Sequence, residues 1–285
     1  VSDKSYTVGV AAAGTYYISL ANVSPYYFNS GQYGLTTSHV STTLTSTFEA
    51  ESNNTLALAN AVALGAPITG QLSSSSDLDY YKVAVSSGGN LTFSIDTPTN
   101  SSSDYFKLSL YNSAGLLLSQ FFTGSDKSYT VGVAAADTYY IAVASGGSFS
   151  SDQYVLTTSH IANSATQIFE YESNNTTTSA NAVELGQTVV GQFSSTSDLD
   201  YYKFAVPSAG NFTFNYDLPS DAYSDVKLSL YNSAGLLLSQ FTTVSDKSYT
   251  VGVAAAGTYY ISLANVSTYY FNSGQYGLTT SHVST

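Results

Sequence analysis

The first 42 residues of the chain are also its last 42. Val1 to Thr42 matches Val244 to Thr285 at every position but one, where Pro25 is answered by Thr268, at an offset of 243. A third copy opens at Ser125-Asp126-Lys127-Ser128-Tyr129-Thr130 and closes at Thr157-Thr158-Ser159-His160. The unit is thus about 121 residues, and alternate units resemble one another more than neighbours do. Self-similarity at a fixed period signals a repeat architecture, and a period of this length is the size of a whole domain. One complete domain is expected from about 45 to 160 and a second from about 165 to 285. Residues 1 to 42 read as the closing third of a preceding repeat. Alone, the strands of that third would present unpaired edges and an uncovered apolar face. They are completed either by more of the same long polypeptide or by strand addition from another subunit. The first is preferred, because a repeat array can be windowed anywhere.

Each unit reads as strands. In the last one the runs 188–193, 201–206, 211–216, 226–231, 236–242, 248–253, 258–264 and 275–280 are rich in Val, Tyr, Phe and Thr, divided by Gly, Asn, Ser and Asp. Within Lys227-Leu228-Ser229-Leu230-Tyr231 the period is two, which puts Leu228 and Leu230 on one face. Asn232-Ser233-Ala234-Gly235 then makes a tight connection. Eight short strands with turn signals at this spacing predict an all-β fold of tandem antiparallel β-sandwiches. A short helix is expected from Ser179 to Leu185.

Charge is scarce and concentrated. Seven Lys and no Arg stand against 19 acidic residues, a net charge of −12, which excludes the basic footprint of a nucleic-acid binder. Four carboxylates and two amides gather in Phe48-Glu49-Ala50-Glu51-Ser52-Asn53-Asn54 and Asp77-Leu78-Asp79-Tyr80-Tyr81. They gather again 121 residues on, in Phe169-Glu170-Tyr171-Glu172-Ser173-Asn174-Asn175 and Asp198-Leu199-Asp200-Tyr201-Tyr202. Such sets suit a hard cation, and Ca²⁺ takes 6–8 oxygens in flexible geometry. The alternative is an acidic turn, with Asp and Asn side chains bonding nearby backbone N–H groups. Cys, Met and Trp are absent, so there is neither a disulfide framework nor a thiol nucleophile, as befits an exposed protein that avoids oxidisable side chains. The chain starts at Val1, shows no signal peptide and has no apolar run long enough to span a membrane, and reads as an excised portion of something longer.

The order Glu-x-Glu-Ser-Asn-Asn, Ala-Asn-Ala, Gly-Gln-Leu/Phe, Asp-x-Asp-Tyr-Tyr-Lys, Leu-Ser-Leu-Tyr-Asn-Ser-Ala-Gly and Gly-Thr-Tyr-Tyr-Ile resembles the bacterial pre-peptidase C-terminal domain, with the collagen-binding domains of clostridial collagenases as relatives. The resemblance covers both complete units and the partial one. It implies a jelly-roll-like sandwich of secreted or surface proteins, with calcium held between the N-terminal segment and the sandwich. The implied ligands are Glu49, Glu51, Asn53, Asn54, Asp77 and Asp79 in one domain and Glu170, Glu172, Asn174, Asn175, Asp198 and Asp200 in the other. Asn54 and Asn175 depart from the pattern, since Asp there would supply more charge, and this implies modest affinity. Modules of this family accompany a peptidase, and no peptidase is visible here.

Catalysis has little to stand on. His39, His160 and His282 are copies of one residue at the close of each unit, without a sequence neighbour to complete a nucleophilic triad. Among the aromatics one set stands apart: Tyr26-Tyr27-Phe28 recurs as Tyr269-Tyr270-Phe271, whereas the middle unit has Ser148-Phe149-Ser150. Three consecutive aromatics do not all point inward from a strand or hairpin tip, so the loop is expected either to contact a neighbouring domain or subunit or to pack on its own domain. The leading functional reading is a non-enzymatic, calcium-stiffened extracellular filament, stalk or adhesive surface array whose partners are copies of itself or adjoining repeats. The alternative is a set of accessory modules binding collagen or polysaccharide for a secreted hydrolase.

Overall fold

The computed structural model describes residues 5–10, 13–22, 25–26, 31–39, 47–97, 103, 105–219, 224–268 and 274–285. It is all-β apart from one 3₁₀ turn, Leu56–Leu58, and forms two tandem sandwiches of two five-stranded sheets each. The first contains β1 (Thr47–Phe48), β2 (Asn60–Ala61), β3 (Ile68–Gly70), β4 (Leu78–Val85), β5 (Gly89–Asp96), β6 (Phe106–Tyr111), β7 (Leu117–Thr123), β8 (Lys127–Val133), β9 (Asp137–Ser145) and β10 (Tyr154–Ala162). Its sheets run β2-β4-β9-β6-β7 and β1-β3-β10-β5-β8. The second contains β11 (Gln167–Phe169), β12 (Asn181–Val183), β13 (Thr188–Gly191), β14 (Leu199–Val206), β15 (Gly210–Asp217), β16 (Val226–Tyr231), β17 (Leu237–Thr243), β18 (Lys247–Val253), β19 (Gly257–Asn265) and β20 (Tyr276–Ser284). Its sheets repeat the order, β12-β14-β19-β16-β17 and β11-β13-β20-β15-β18.

The period-two pattern sets the core. Along β4, Asp79, Tyr81, Val83 and Val85 face inward and are buried, while the residues between them reach the surface. Leu108, Leu110, Ile141, Val143, Leu91 and Phe93 complete the first core, and Leu228, Leu230, Ile261, Leu263, Phe212 and Phe214 the second. The expected tight connection is present: Asn232 Oδ1 accepts from the N–H groups of Ala234 and Leu236, both at 3.0 Å, and Gly235 sits at φ +77, a value that favours glycine. Gly115 takes the same role in the first sandwich, also at φ +77.

Two expectations are corrected. The segment expected to be helical, Ser179 to Leu185, instead carries strand β12, paired in parallel with β14. Helix propensity is a weak prior there, and Val183 is buried in the core while the Asn181 side chain is drawn to the backbone of Tyr171. The sheets are also not wholly antiparallel: β1 with β3, β2 with β4, β11 with β13 and β12 with β14 pair in parallel. The chain crosses to the opposite sheet between β1 and β3, and returns by such a crossover in the same direction. The described residues from 5 to 39 form no strand and are mostly exposed, whereas the same sequence in the last repeat forms β18, β19 and β20. In the last repeat those three strands pair with β13, β14, β15 and β16, which lie upstream of them.

Candidate metal centre

The short edge strands carry the acidic residues into the sandwich. The N–H of Glu49 extends the β1–β3 ladder by donating to the Thr69 carbonyl at 2.9 Å, which turns the Glu49 side chain inward against β4. The next residue is held by an amide clamp: Ala50 N donates to Asn60 Oδ1 at 2.5 Å, and Asn60 Nδ2 donates to the Ala50 carbonyl at 3.1 Å. Asn181 grips Tyr171 in the same way, at 2.8 and 3.1 Å. Across the sandwich, β4 supplies Asp79 and Tyr81, and β10 supplies Tyr154.

These side chains form one chain of short oxygen contacts. Tyr81 donates to Glu49 Oε2 at 2.6 Å, the Tyr81 and Tyr154 hydroxyls lie 2.7 Å apart, and Tyr154 donates to Asp79 Oδ2 at 2.6 Å. In the second sandwich Tyr202 meets Glu170 at 2.5 Å, Tyr276 at 2.6 Å, and Tyr276 meets Asp200 at 2.5 Å. With both phenol protons given to carboxylates the Tyr81–Tyr154 contact has none; a proton on Glu49 reverses the first bond and frees the Tyr81 hydroxyl to donate to Tyr154. Burial, opposed by the bond from Tyr81, pushes Glu49 up to about 7, and burial with repulsion from Glu49 pushes Asp79 up to about 9. Burial likewise raises Glu170 to about 7, Glu172 to about 8 and Asp200 well above its ordinary range. Gly70 and Gly191 make room for the phenols, since a Cβ at either would overlap both tyrosines of its site.

Not every residue singled out in the sequence joins this cluster. Glu49, Glu51 and Asp79 offer oxygens within 4.8 Å of one another, as do Glu170, Glu172 and Asp200. Asn53 and Asn174 are fully buried beside them, with Nδ2 facing the Glu49 and Glu170 carboxylates at 3.3 and 3.5 Å. Asp77 caps a turn, accepting from Ser73 N at 2.7 Å and Leu78 N at 3.0 Å, and Asp198 does the same at 2.6 and 3.0 Å; Asp77 also lies near enough to repel Glu51, and Asp198 reaches Glu172. Asn54 and Asn175 are exposed. With its amide oriented by its neighbours, Asn175 Nδ2 donates to Asp198 Oδ1 at 3.0 Å and to the Leu199 carbonyl at 2.7 Å.

Several buried oxygens have no hydrogen-bond partner: Asn53 Oδ1 and Asp79 Oδ1 in one site, Asn174 Oδ1, Asp200 Oδ1 and Glu172 Oε1 in the other. Orphaned buried acceptors are costly. Each cluster has the donor set for a metal ion, all oxygen and mostly carboxylate, which suits a hard cation. The tyrosine pair, the Asn clamp and the two glycines went unassigned in the sequence. Their signal was present in the recurrence of Ala-Asn-Ala, Gly-Gln and Asp-Tyr-Tyr in both units.

No protein-family model matches the chain, and neither does any curated protein. Similar solved structures include the pre-peptidase C-terminal domain of a collagenase from Bacillus anthracis, at 19% identity and a TM-score of 0.30, covering 35% of this chain and 93% of that one. That domain is of the family the motif order resembles. A second is the M60 catalytic domain with two CBM51 domains of ZmpB from Clostridium perfringens, at 10% identity and a TM-score of 0.25, covering 72% of this chain and 33% of that one. A third is the CBM22 tandem of Xyn10C from Paenibacillus barcinonensis, at 9% identity and a TM-score of 0.22, covering 72% and 82%. These overlaps are too low to assign a function.

The other candidates are quickly placed. His160 and His282 turn a buried Nε2 without a hydrogen-bond partner toward Gly89 and Gly210, and His39 is exposed. Tyr26 is 89% exposed, whereas Tyr27, Phe28, Tyr269, Tyr270 and Phe271 lie outside the described residues. No helix among the described residues is long and apolar enough to cross a membrane.

The acidic segment is also where the two sandwiches meet. Gly132 of β8 lies so close to Glu170 that a Cβ there would coincide with the Glu170 carbonyl oxygen, and Gly9 stands to Glu49 in the same way. Tyr129 is buried at this junction, its hydroxyl bonded to Ser119 at 3.2 Å, and burial together with Asp198, Glu172 and Glu170 raises it above the usual tyrosine range. Tyr6 lies correspondingly near Asp77, Glu51 and Glu49.

Proposed function

We propose that the chain is a non-enzymatic structural protein of the cell exterior, a linear array of β-sandwich repeats in which calcium stiffens each junction. Glu49, Glu51, Asn53 and Asp79 would hold one ion, with Asp77 and Asn54 at its rim, and Glu170, Glu172, Asn174 and Asp200 another, with Asp198 and Asn175. The ion supplies the positive charge that lets these buried carboxylates give up their protons, and it pairs with the orphaned oxygens. The observation that carries this reading is that one residue serves two roles. The Glu170 side chain belongs to the acidic cluster, while its backbone carbonyl bears on Gly132 of the preceding sandwich. Fixing the cluster therefore fixes the junction.

The test is limited proteolysis of the whole chain with calcium and with chelator. Chelation should increase cleavage in the connecting stretch 161–171, within which Asn163 N bonds the Gly88 carbonyl and Asn163 Oδ1 accepts from Phe169 N, at 3.0 and 2.9 Å. Equal resistance under both conditions would count against the mechanism. Calcium-independent binding of the chain to collagen or a polysaccharide would instead favour the accessory-module reading.

A further inference from the structure

Each sandwich carries a pair of tyrosines on the outer face of one sheet, at the same place and the same separation. In β4, β9 and β6 the core takes Tyr81, Ile141 and Leu110, so Tyr80, Ala142 and Ser109, which lie abreast, point outward. The neighbouring outward row is Lys82, Tyr140 and Tyr111. Tyr80 and Tyr111 therefore reach toward each other diagonally over the small side chain of Ala142, with ring centroids 6.2 Å apart and planes 40° off parallel. Ala142 and Ser109 face away from the core and are nevertheless buried. Tyr201 and Tyr231 repeat the arrangement over Ser262, at 6.2 Å and 31°. Burial, and then the phenol of the partner ring, raises Tyr80 and Tyr201 above the usual tyrosine range, so the hydroxyl ends of each pair are close as well as the rings. All four side chains are half-buried, within reach of a reagent in solution.

What such pairs can do follows from what the chain lacks. Cys, Met and Trp are absent, whereas Tyr numbers 26. Sulfur side chains are the usual first targets of an oxidant, and without them an oxidising equivalent comes to rest on a phenol. Two phenoxyl radicals join when their rings are already held within reach, which turns an encounter between molecules into a step within one. The pairs Tyr81–Tyr154 and Tyr202–Tyr276 also share a hydroxyl contact, but they are fully buried with their hydroxyls held by carboxylates, closed to an external oxidant.

We propose that Tyr80 with Tyr111, and Tyr201 with Tyr231, are sites of oxidative coupling, at which a peroxidase-type one-electron oxidant and hydrogen peroxide join each pair into an intrachain dityrosine. Each phenol gives up one electron and its hydroxyl proton. The two phenoxyl radicals form a carbon–carbon bond between one ring carbon ortho to each oxygen, and the hydrogens on those carbons move to the oxygens, restoring both phenols. The two electrons and two protons released convert one hydrogen peroxide into two waters. The link runs from β4 to β6 over β9, which lies between them, and from β14 to β16 over β19. It ties three strands by a bond that thiols do not reduce, and closes a loop of the unfolded chain as a disulfide does elsewhere. This goes beyond the array reading and owes nothing to the cation.

The test is to treat the whole chain with a haem peroxidase and hydrogen peroxide, at two concentrations tenfold apart, and to map the products by mass spectrometry after digestion. The expected result is a monomer on a denaturing gel, lighter by two hydrogens per link, with dityrosine fluorescence and peptides joining Tyr80 to Tyr111 and Tyr201 to Tyr231, in a yield per chain that dilution does not change. Tyr111→Phe, which keeps the ring and should leave the unoxidised melting temperature in place, should lose the first link and retain the second, and Tyr231→Phe the converse. The linked chain should melt higher than the untreated one by on the order of 10 °C. Coupling that falls away on dilution, joined peptides from other tyrosines in place of these, or an undiminished intrachain yield in the double variant Tyr111→Phe/Tyr231→Phe would overturn the assignment.

Discussion

Replacing Glu49 and Glu170 with Gln separates the two things a buried carboxylate does at these sites, accepting hydrogen bonds and carrying charge. Each glutamate is raised from an ordinary 4.5 to about 7, with burial the main cause. The folded chain then keeps a proton at pH values where the unfolded chain has lost it. Stability without metal is therefore undiminished below about pH 4.5, falls as pH rises from there to about 7, and carries the full cost above. A span of about 2.5 pH units at about 1.4 kcal/mol each gives at most about 3 kcal/mol per site. For a domain of this size that corresponds to a melting shift on the order of 10 °C. Glutamine has no charge to lose, and its amide can donate to Tyr81 so that all three contacts are met by protons already present. Thermal unfolding with chelator should give similar melting temperatures for wild type and Glu49→Gln/Glu170→Gln at pH 5. At pH 8 the variant should melt higher, by up to about 10 °C. Excess calcium should reverse that order, because only the wild type gains fully from the ion. A variant that melts below wild type at pH 8 with chelator, or that gains as much from calcium, would refute the reasoning.

Other outcomes follow from the same geometry. Tyr154→Phe removes the donor to Asp79 and the contact to Tyr81, and should cost about 1–3 kcal/mol in chemical denaturation. It should also weaken calcium binding by about 10–100-fold in a calorimetric titration, as loss of a supporting partner does elsewhere. Gly70→Ala places a methyl group on the two phenols and should destabilise the first sandwich by about 3 kcal/mol, leaving the second transition of the melting curve in place. Leu230→Ala, at a fully buried position, should cost about 2–5 kcal/mol and broaden or lower the second transition instead.

The strand pattern and the repeat were legible because they depend on local alternation and literal copying. All eight strands read in the last unit exist, within a few residues of their expected ends. The edge strands β11 and β12 were not legible: three-residue runs carry too little periodicity, and their pairing is fixed by partners 20 or so residues away. The acidic cluster could be anticipated from its composition, since a chain with so few charges does not gather four carboxylates idly. Its depth could not. Tyr81 and Tyr154 are 73 residues apart and look like any other aromatic in a strand, and only the sandwich brings their hydroxyls together between Glu49 and Asp79. Asp77 shows what spacing leaves out: its two oxygens also cap a turn, accepting from the N–H groups of Ser73 and Leu78.

The pairing of β11 and β20 on either side of β13 also has a mechanical consequence. β11 runs parallel to β13 and β20 antiparallel to it, with Gln167 and Thr279 both level with Thr188, so the polypeptide enters and leaves a sandwich at the same end of one sheet. Tension transmitted through the backbone would draw on the edge strand β11 and the inner strand β20 from that one end, opening their ladders bond by bond, like a zipper, instead of loading them in shear. Were such units joined into a line, the connecting stretch 161–171 and the seat of Glu170 on Gly132 would take that load together.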